Sequence, residues 1–151
     1  MTTTPPTAVH RVAQSLAEVV RHARLPGADE LEQAIGLRVD AAGAVILARL
    51  QPGTATRLVD LADRLGLAPS TVSRQLPPLE TAGLVARRTD PDDGRVSLLH
   101  LTDAGRNAAD RITTYQATRI ATLLRDWPEQ DIAGFADLLD RFVTGLIDDH
   151  P

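Results

Sequence analysis

Apolar residues recur at helical spacing in the first third of the chain. Val9, Val12, Ala13, Leu16, Val19, Val20 and Ala23 fall three or four positions apart, which predicts an amphipathic helix from Ala8 to about Ala23. Pro26-Gly27 ends it. Asp29 to Val39 is ambiguous, with a short helix suggested around Leu31 to Ile35. Ala42 to Leu50 is a compact apolar helix stopped by Pro52-Gly53. Thr54 or Thr56 is placed to cap the next helix, which carries Leu58, Leu61, Ala62 and Leu65 on one face and ends at Gly66. Pro69 suits the first turn of a following helix. That helix buries Val72, Leu76 and Leu79 and stops near Gly83.

The period then changes. Leu84 to Thr89 and Val96 to Leu101 read as two short strands, with Asp92-Asp93-Gly94 as the hairpin turn. Thr102-Asp103 caps a long helix to about Arg125. Pro128 opens a last one, where Ile132, Phe135, Leu139, Phe142 and Leu146 repeat every three and four residues. The expected fold is mainly α with a small β-hairpin wing: a winged helix-turn-helix domain plus helical dimerisation arms. Residues 1–7 are expected to be a disordered tail, 8–53 scaffold and dimerisation helices, 54–101 the winged module, and 102–151 further dimerisation helices. The two terminal apolar stripes exceed what one winged module can cover, so a homodimer is expected, joined by the first helix, the long helix and the last.

Composition narrows the chemistry. Apolar residues make up 43 % of the 151 but aromatics only 3 %, so the core must be aliphatic, which suits helices. There is no cysteine, which excludes disulfides, thiolate zinc sites and thiol redox sensing. His10, His22, His100 and His150 show no metal-ligand spacing, and neither metal nor cofactor is expected. No apolar run approaches the ~20 residues of a membrane span. Met1 to Pro6 lacks the basic and apolar regions of a signal peptide, so the expected location is cytoplasmic. Net charge is −4, and all sixteen basic residues are Arg. From Thr54 to Arg106, seven Arg balance seven acids. This argues against a non-specific coat on nucleic acid, though a specific reader needs only one positive face.

Double-stranded DNA is the expected partner. The helix-turn-helix from Thr56 to Ala82, with its short turn at Gly66-Leu67-Ala68 and a hairpin directly after it, has the dimensions of a DNA-reading motif. At ~100° per residue from Val72, Ser70, Arg74, Pro77 and Thr81 point outward, flanked by Thr71, Ser73 and Gln75. Arg pairs with guanine O6 and N7, Gln with adenine N6 and N7, and hydroxyls with bases or phosphates. These residues would equally make an ordinary solvated face; the neighbouring turn and hairpin favour DNA. Arg95, just past the hairpin turn, suits the minor groove, with Asp93 placed to orient its guanidinium. Arg87 and Arg88 would face phosphates at the base of the wing, or solvent.

Four segments in register carry a more specific likeness. They are Leu61-Ala62-Asp63-Arg64-Leu65-Gly66-Leu67-Ala68-Pro69-Ser70-Thr71-Val72-Ser73-Arg74, Leu79-Glu80-Thr81-Ala82-Gly83-Leu84-Val85, Asp90-Pro91-Asp92-Asp93-Gly94-Arg95 and Leu101-Thr102-Asp103-Ala104-Gly105-Arg106. Together they resemble the MarR family of bacterial winged helix-turn-helix regulators, continuously from about Arg57 to Arg106. The resemblance implies a triangular homodimer whose terminal helices intertwine. Its two winged modules would straddle a pseudo-palindromic operator, typically as a repressor released by a small aromatic or phenolic ligand. It places Ser70, Thr71, Ser73, Arg74 and Gln75 at the groove-reading positions, and Asp93 and Arg95 at the wing tip.

Three departures from the family pattern stand out. Ala68 replaces a capping Ser or Thr, Gly94 replaces a second wing Arg, and Pro77-Pro78 should interrupt and kink the recognition helix. His10, His22, Tyr115 and Trp127 are candidates for lining a ligand pocket, though aromatics at helix ends are more often core or dimer interface. No nucleophile–base pair, phosphate loop or paired His/Asp motif supports an enzyme. The alternative is a winged helix that binds protein rather than DNA.

Overall fold

A computed structural model describes residues 7–23, 26–50, 53–94 and 96–148. The expected tail therefore lies, except for Thr7, outside the described residues. The elements are α1 (Ala8–His22), α2 (Ala28–Ile35), α3 (Ala41–Arg49), β1 (Thr56–Arg57), α4 (Leu58–Leu65), α5 (Pro69–Thr81), β2 (Val85–Thr89), β3 (Ser97–Leu101), α6 (Asp103–Leu123) and α7 (Glu129–Asp148). Side chains set several helix starts by accepting an orphan backbone N–H: Thr7 from His10, Asp40 from Gly43 and Thr102 from Gly105. Gly36 and Gly66 end α2 and α4 in the left-handed conformation.

The core is aliphatic, as composition requires. Leu31 and Ile35 of α2, Ile46 and Leu47 of α3, Leu61 of α4, Val72, Leu76 and Leu79 of α5, Leu99 of β3 and Ile112 of α6 meet in one cluster. From α6, Ala108, Ala109 and Ile112 join it, and Tyr115 packs against it. Neither α1 nor α7 contributes a buried residue. Val9, Val12, Leu16 and Val20 on α1, and Phe135, Leu139, Phe142 and Leu146 on α7, all lie exposed in the single chain.

The hairpin is the larger part of a three-stranded antiparallel sheet in the order β1-β3-β2. The two-residue β1 pairs Thr56 with Leu99 and Arg57 with Leu98. This corrects the expected cap of α4. Thr56 is a buried strand residue whose hydroxyl has no hydrogen-bond partner, and the cap position is Arg57, without a side-chain cap bond. A second correction concerns Pro77-Pro78, which does not interrupt the helix: α5 runs through both prolines to Thr81. The lost bonds are those to the carbonyls of Ser73 and Arg74. Both residues are exposed, so water is at hand for those carbonyls, while burial of Val72, Leu76 and Leu79 holds the helix to its course.

Candidate nucleic-acid interface

The turn before α5 is made by Gly66, whose φ of 62° spares any Cβ penalty and whose N–H bonds to the carbonyls of Ala62 and Asp63. Ala68 then starts α5 without a side-chain cap, and Pro69 occupies the first turn. Pro69 brings no N–H, and the Thr71 and Val72 N–H groups both donate to the Ala68 carbonyl, at 2.9 and 3.3 Å. With Val72, Leu76 and Leu79 buried, Ser70, Ser73, Arg74, Pro77 and Thr81 are exposed together. Thr71 is half-buried. Gln75, also half-buried, turns away from this row into a depression of about 270 Å³ lined by Arg38, Val39, Asp40 and Pro78. The reason is angular: Gln75 lies ~60° from Val72 around the helix, nearer the buried side than the outer one.

Arg87 and Arg88 lie exposed on β2. Arg87 is tied by an ion pair to Glu80 at the end of α5, so its charge is already shared. Asp93 is exposed and its carbonyl accepts the Val96 N–H at 2.9 Å. Arg95, and with it the expected Asp93–Arg95 pairing, lies outside the described residues.

One contact in this region has no local sequence signal. Arg57 of β1 donates from Nη2 to Asp90 Oδ2 at 3.0 Å, across 33 residues. The other Asp90 oxygen accepts the Asp92 N–H at 3.0 Å. That N–H first, then Arg57, holds the Asp90 carboxyl below its ordinary pKa. Further back, the Thr102 hydroxyl donates to the Gly83 carbonyl at 2.6 Å and accepts the Gly105 N–H at 2.9 Å, fastening α6 to the segment that follows α5.

The four ligand-pocket candidates are dispersed. His10 and His22 sit exposed at opposite ends of α1, bonded to Thr7 and Glu18. Trp127 lies before α7 with its ring 5.7 Å from Phe135. Tyr115 lines a depression of about 360 Å³ between α2 and α6, with Ile35, Arg111, Thr114 and Thr118. Its hydroxyl donates to Glu30, whose carboxylate holds the phenol above its ordinary pKa. Among the described residues no His, Asp or Glu cluster could hold a metal ion. No described helix is long and apolar enough to cross a membrane.

A sequence model of the MarR family matches residues 43–97. The HTH-type transcriptional regulator YxaD of Bacillus subtilis (strain 168) is 32 % identical over 120 residues, covering 80 % of this chain and 83 % of that protein. The chain belongs to the MarR family. It is a transcription regulator of that family, not an enzyme. Solved MarR-family structures share its fold. The crystal structure of MarR superposes with a TM-score of 0.72 at 22 % identity, over 91 % of this chain and 98 % of that one. FabT of Streptococcus pneumoniae, solved in complex with DNA, also gives 0.72, at 18 % identity over 93 % and 98 %. The mainly α architecture with a small winged sheet is thus the family's, and β1 extends the expected hairpin to three strands.

Proposed function

We propose that this chain is a sequence-specific DNA-binding repressor acting as a homodimer on a pseudo-palindromic operator. The observation that carries the reading is the exposed row Ser70, Arg74, Pro77 and Thr81 on α5, backed by buried Val72, Leu76 and Leu79 and followed at once by the wing. The DNA complex of FabT, whose fold this chain shares, supports it. With α5 in the major groove, Arg74 reads a guanine, while Ser70, Thr71 and Ser73 bond to bases or phosphates. Gln75 reaches an adenine only by leaving its depression. Arg88 faces phosphate, and Arg87 does so in competition with Glu80. Asp93 orients Arg95, which enters the minor groove.

In this reading residues 54–101 form the DNA module, and 8–53 and 102–151 scaffold and dimerise it. The bare apolar faces of α1 and α7 are the support for a dimer. A small aromatic or phenolic ligand relieves repression. Tyr115, in the depression between α2 and α6, is the candidate best placed to meet it; His10, His22 and Trp127 join only if the partner protomer brings them near.

A gel shift with the DNA flanking its own gene tests the reading. Arg74→Ala should cost ~1–3 kcal/mol and relax preference at one base pair per half-site. If parent and variant bind specific and random DNA alike, α5 is not the reading element.

A further inference from the structure

The wing turn from Asp90 to Val96 is a loop held at its base. The Asp90 N–H donates to the Val96 carbonyl at 2.8 Å, and the Val96 N–H to the Asp93 carbonyl at 2.9 Å. The Asp90 carboxylate adds the bond from the Asp92 N–H, closing an Asx turn inside the loop. These bonds fix the loop on itself. They do not fix its angle to the rest of the molecule. The β1–β3 ladder ties the wing to the helix-turn-helix only as far as Leu98, opposite Arg57; beyond it β2 and β3 run on as a two-stranded ribbon to Thr89 and Ser97, and such a ribbon twists more than a wider sheet.

The Arg57 bond reaches past that ladder to the turn. Arg57 stands where β1 passes into α4, so its backbone belongs at once to the sheet and to the first helix of the helix-turn-helix. From there its guanidinium reaches the Asp90 carboxylate, which already accepts the Asp92 N–H inside the loop. The Asp90 side chain is only 8 % exposed, whereas that of Arg57 is 48 % exposed. A charge-assisted bond to so enclosed a carboxylate is much less screened than a surface pair.

We propose that Arg57 is a positioning residue: through Asp90 it locks the wing turn to the first helix of the helix-turn-helix and so fixes where the wing tip falls relative to α5. The proposal rests on the DNA-reading function set out above. The exposed half of Arg57 suggests a simpler role, a direct phosphate contact, but its surroundings oppose this. Besides Asp90, both Asp60 and Asp93 lie close enough to favour its charged form. A phosphate brought to Arg57 therefore also approaches those carboxylates. Arg57 is occupied with the wing, and its effect on DNA passes through the wing.

Two measurements on the full-length protein test this. The first needs no DNA: hydrogen exchange of the Asp92 and Val96 amides should quicken about tenfold in Arg57→Ala, with the Val72 and Leu76 amides of α5 unchanged. Equal exchange at the wing in parent and variant overturns the proposal, whatever the protein binds. The second uses the operator selected from random DNA by the parent, at a temperature where circular dichroism shows every variant folded. Arg57→Ala and Asp90→Asn should each weaken operator binding about tenfold and random DNA less. The double variant should lose no more than either single one, because the two residues act as a unit. Arg57→Lys, which keeps the charge, should recover part of the loss. Additive losses, with a salt dependence lowered by about one phosphate in Arg57→Ala alone, would instead make Arg57 a phosphate contact and overturn the proposal. If the parent selects no operator while the wing amides respond as expected, the DNA-reading function fails and the lock stands as a feature of the fold.

Discussion

Replacing Gly105 with alanine sets a methyl carbon 1.9 Å from the Leu84 carbonyl oxygen and 2.8 Å from its carbon. Carbon and oxygen normally meet at about 3.3 Å, so α6 and the backbone at Leu84, between α5 and β2, must separate by roughly 1.4 Å. The obstacle is backbone, which cannot swing aside like a side chain. Overpacking of this kind costs ~1–3 kcal/mol. The same retreat loosens the Thr102 N–H bond to the Leu84 carbonyl, 3.1 Å, and the Thr102 hydroxyl bond to the Gly83 carbonyl, 2.6 Å. Each is worth ~0.5–1.5 kcal/mol. Alanine returns ~1 kcal/mol of helix propensity. The net expectation is destabilisation by about 3 kcal/mol. Urea denaturation at fixed protein concentration reads it as a lower midpoint with unchanged slope. Gly94→Ala is the control, since nothing lies within 4 Å of the added carbon and no positive φ is involved; it should stay within ~0.5 kcal/mol of the parent. A Gly105→Ala protein as stable as that control would refute the claimed close approach of α6 to Leu84.

Two further outcomes follow from the geometry. Phe142→Glu places a charge in the bare apolar face of α7, where Phe142 is 43 % exposed in the single chain; on the proposed dimer it should shift sedimentation at micromolar concentration toward monomer or unfolded chain, and an unchanged dimer would show that α7 faces solvent. Asp90→Asn should lower thermal stability at pH 7, and the gap to the parent should close in acid. Because the Asp92 N–H and Arg57 depress the folded pKa of Asp90, its stabilisation is complete above the ordinary carboxylate value, about 4, and fades as pH falls through the lower folded value. A gap that stays constant from pH 7 to pH 2 would mean that the Asp90 charge is not what matters.

The elements that were legible in the sequence are those bounded by signals acting over a few residues. Gly66, Pro69 and Thr102 each impose a local conformation, and the helices and strands around them fall where pattern places them. What was not legible depends on distant partners. Strand β1 has two residues and no periodicity of its own; it exists because Leu98 and Leu99 pair with it, and so Thr56 read as a helix cap. The Arg57–Asp90 bond spans 33 residues and appears only once that strand is in place. Pro77-Pro78 misled for the converse reason. A local rule, that proline breaks helices, was overridden by the tertiary burial of Val72, Leu76 and Leu79 on the opposite face.

The same face explains what is left for recognition. On the proposed reading, the outward row of α5 offers Ser70, Ser73 and Arg74 and then, a turn later, Pro77 and Thr81. A proline ring donates no hydrogen bond and makes only apolar contact, for instance with a thymine methyl. Gln75, the one long neutral polar side chain nearby, faces the depression beside Arg38 and Asp40. Arg87, at the base of the wing, is held by Glu80. Directly read bases are thus concentrated in the first two turns of α5 with Arg74 at their centre, giving a short core in each half-site. Discrimination beyond that core falls to the wing and to the shape of the DNA. A wing that carries this share of specificity must be held at a fixed angle; the Arg87–Glu80 pair ties its strand to α5, and the Arg57–Asp90 pair reaches on to its turn.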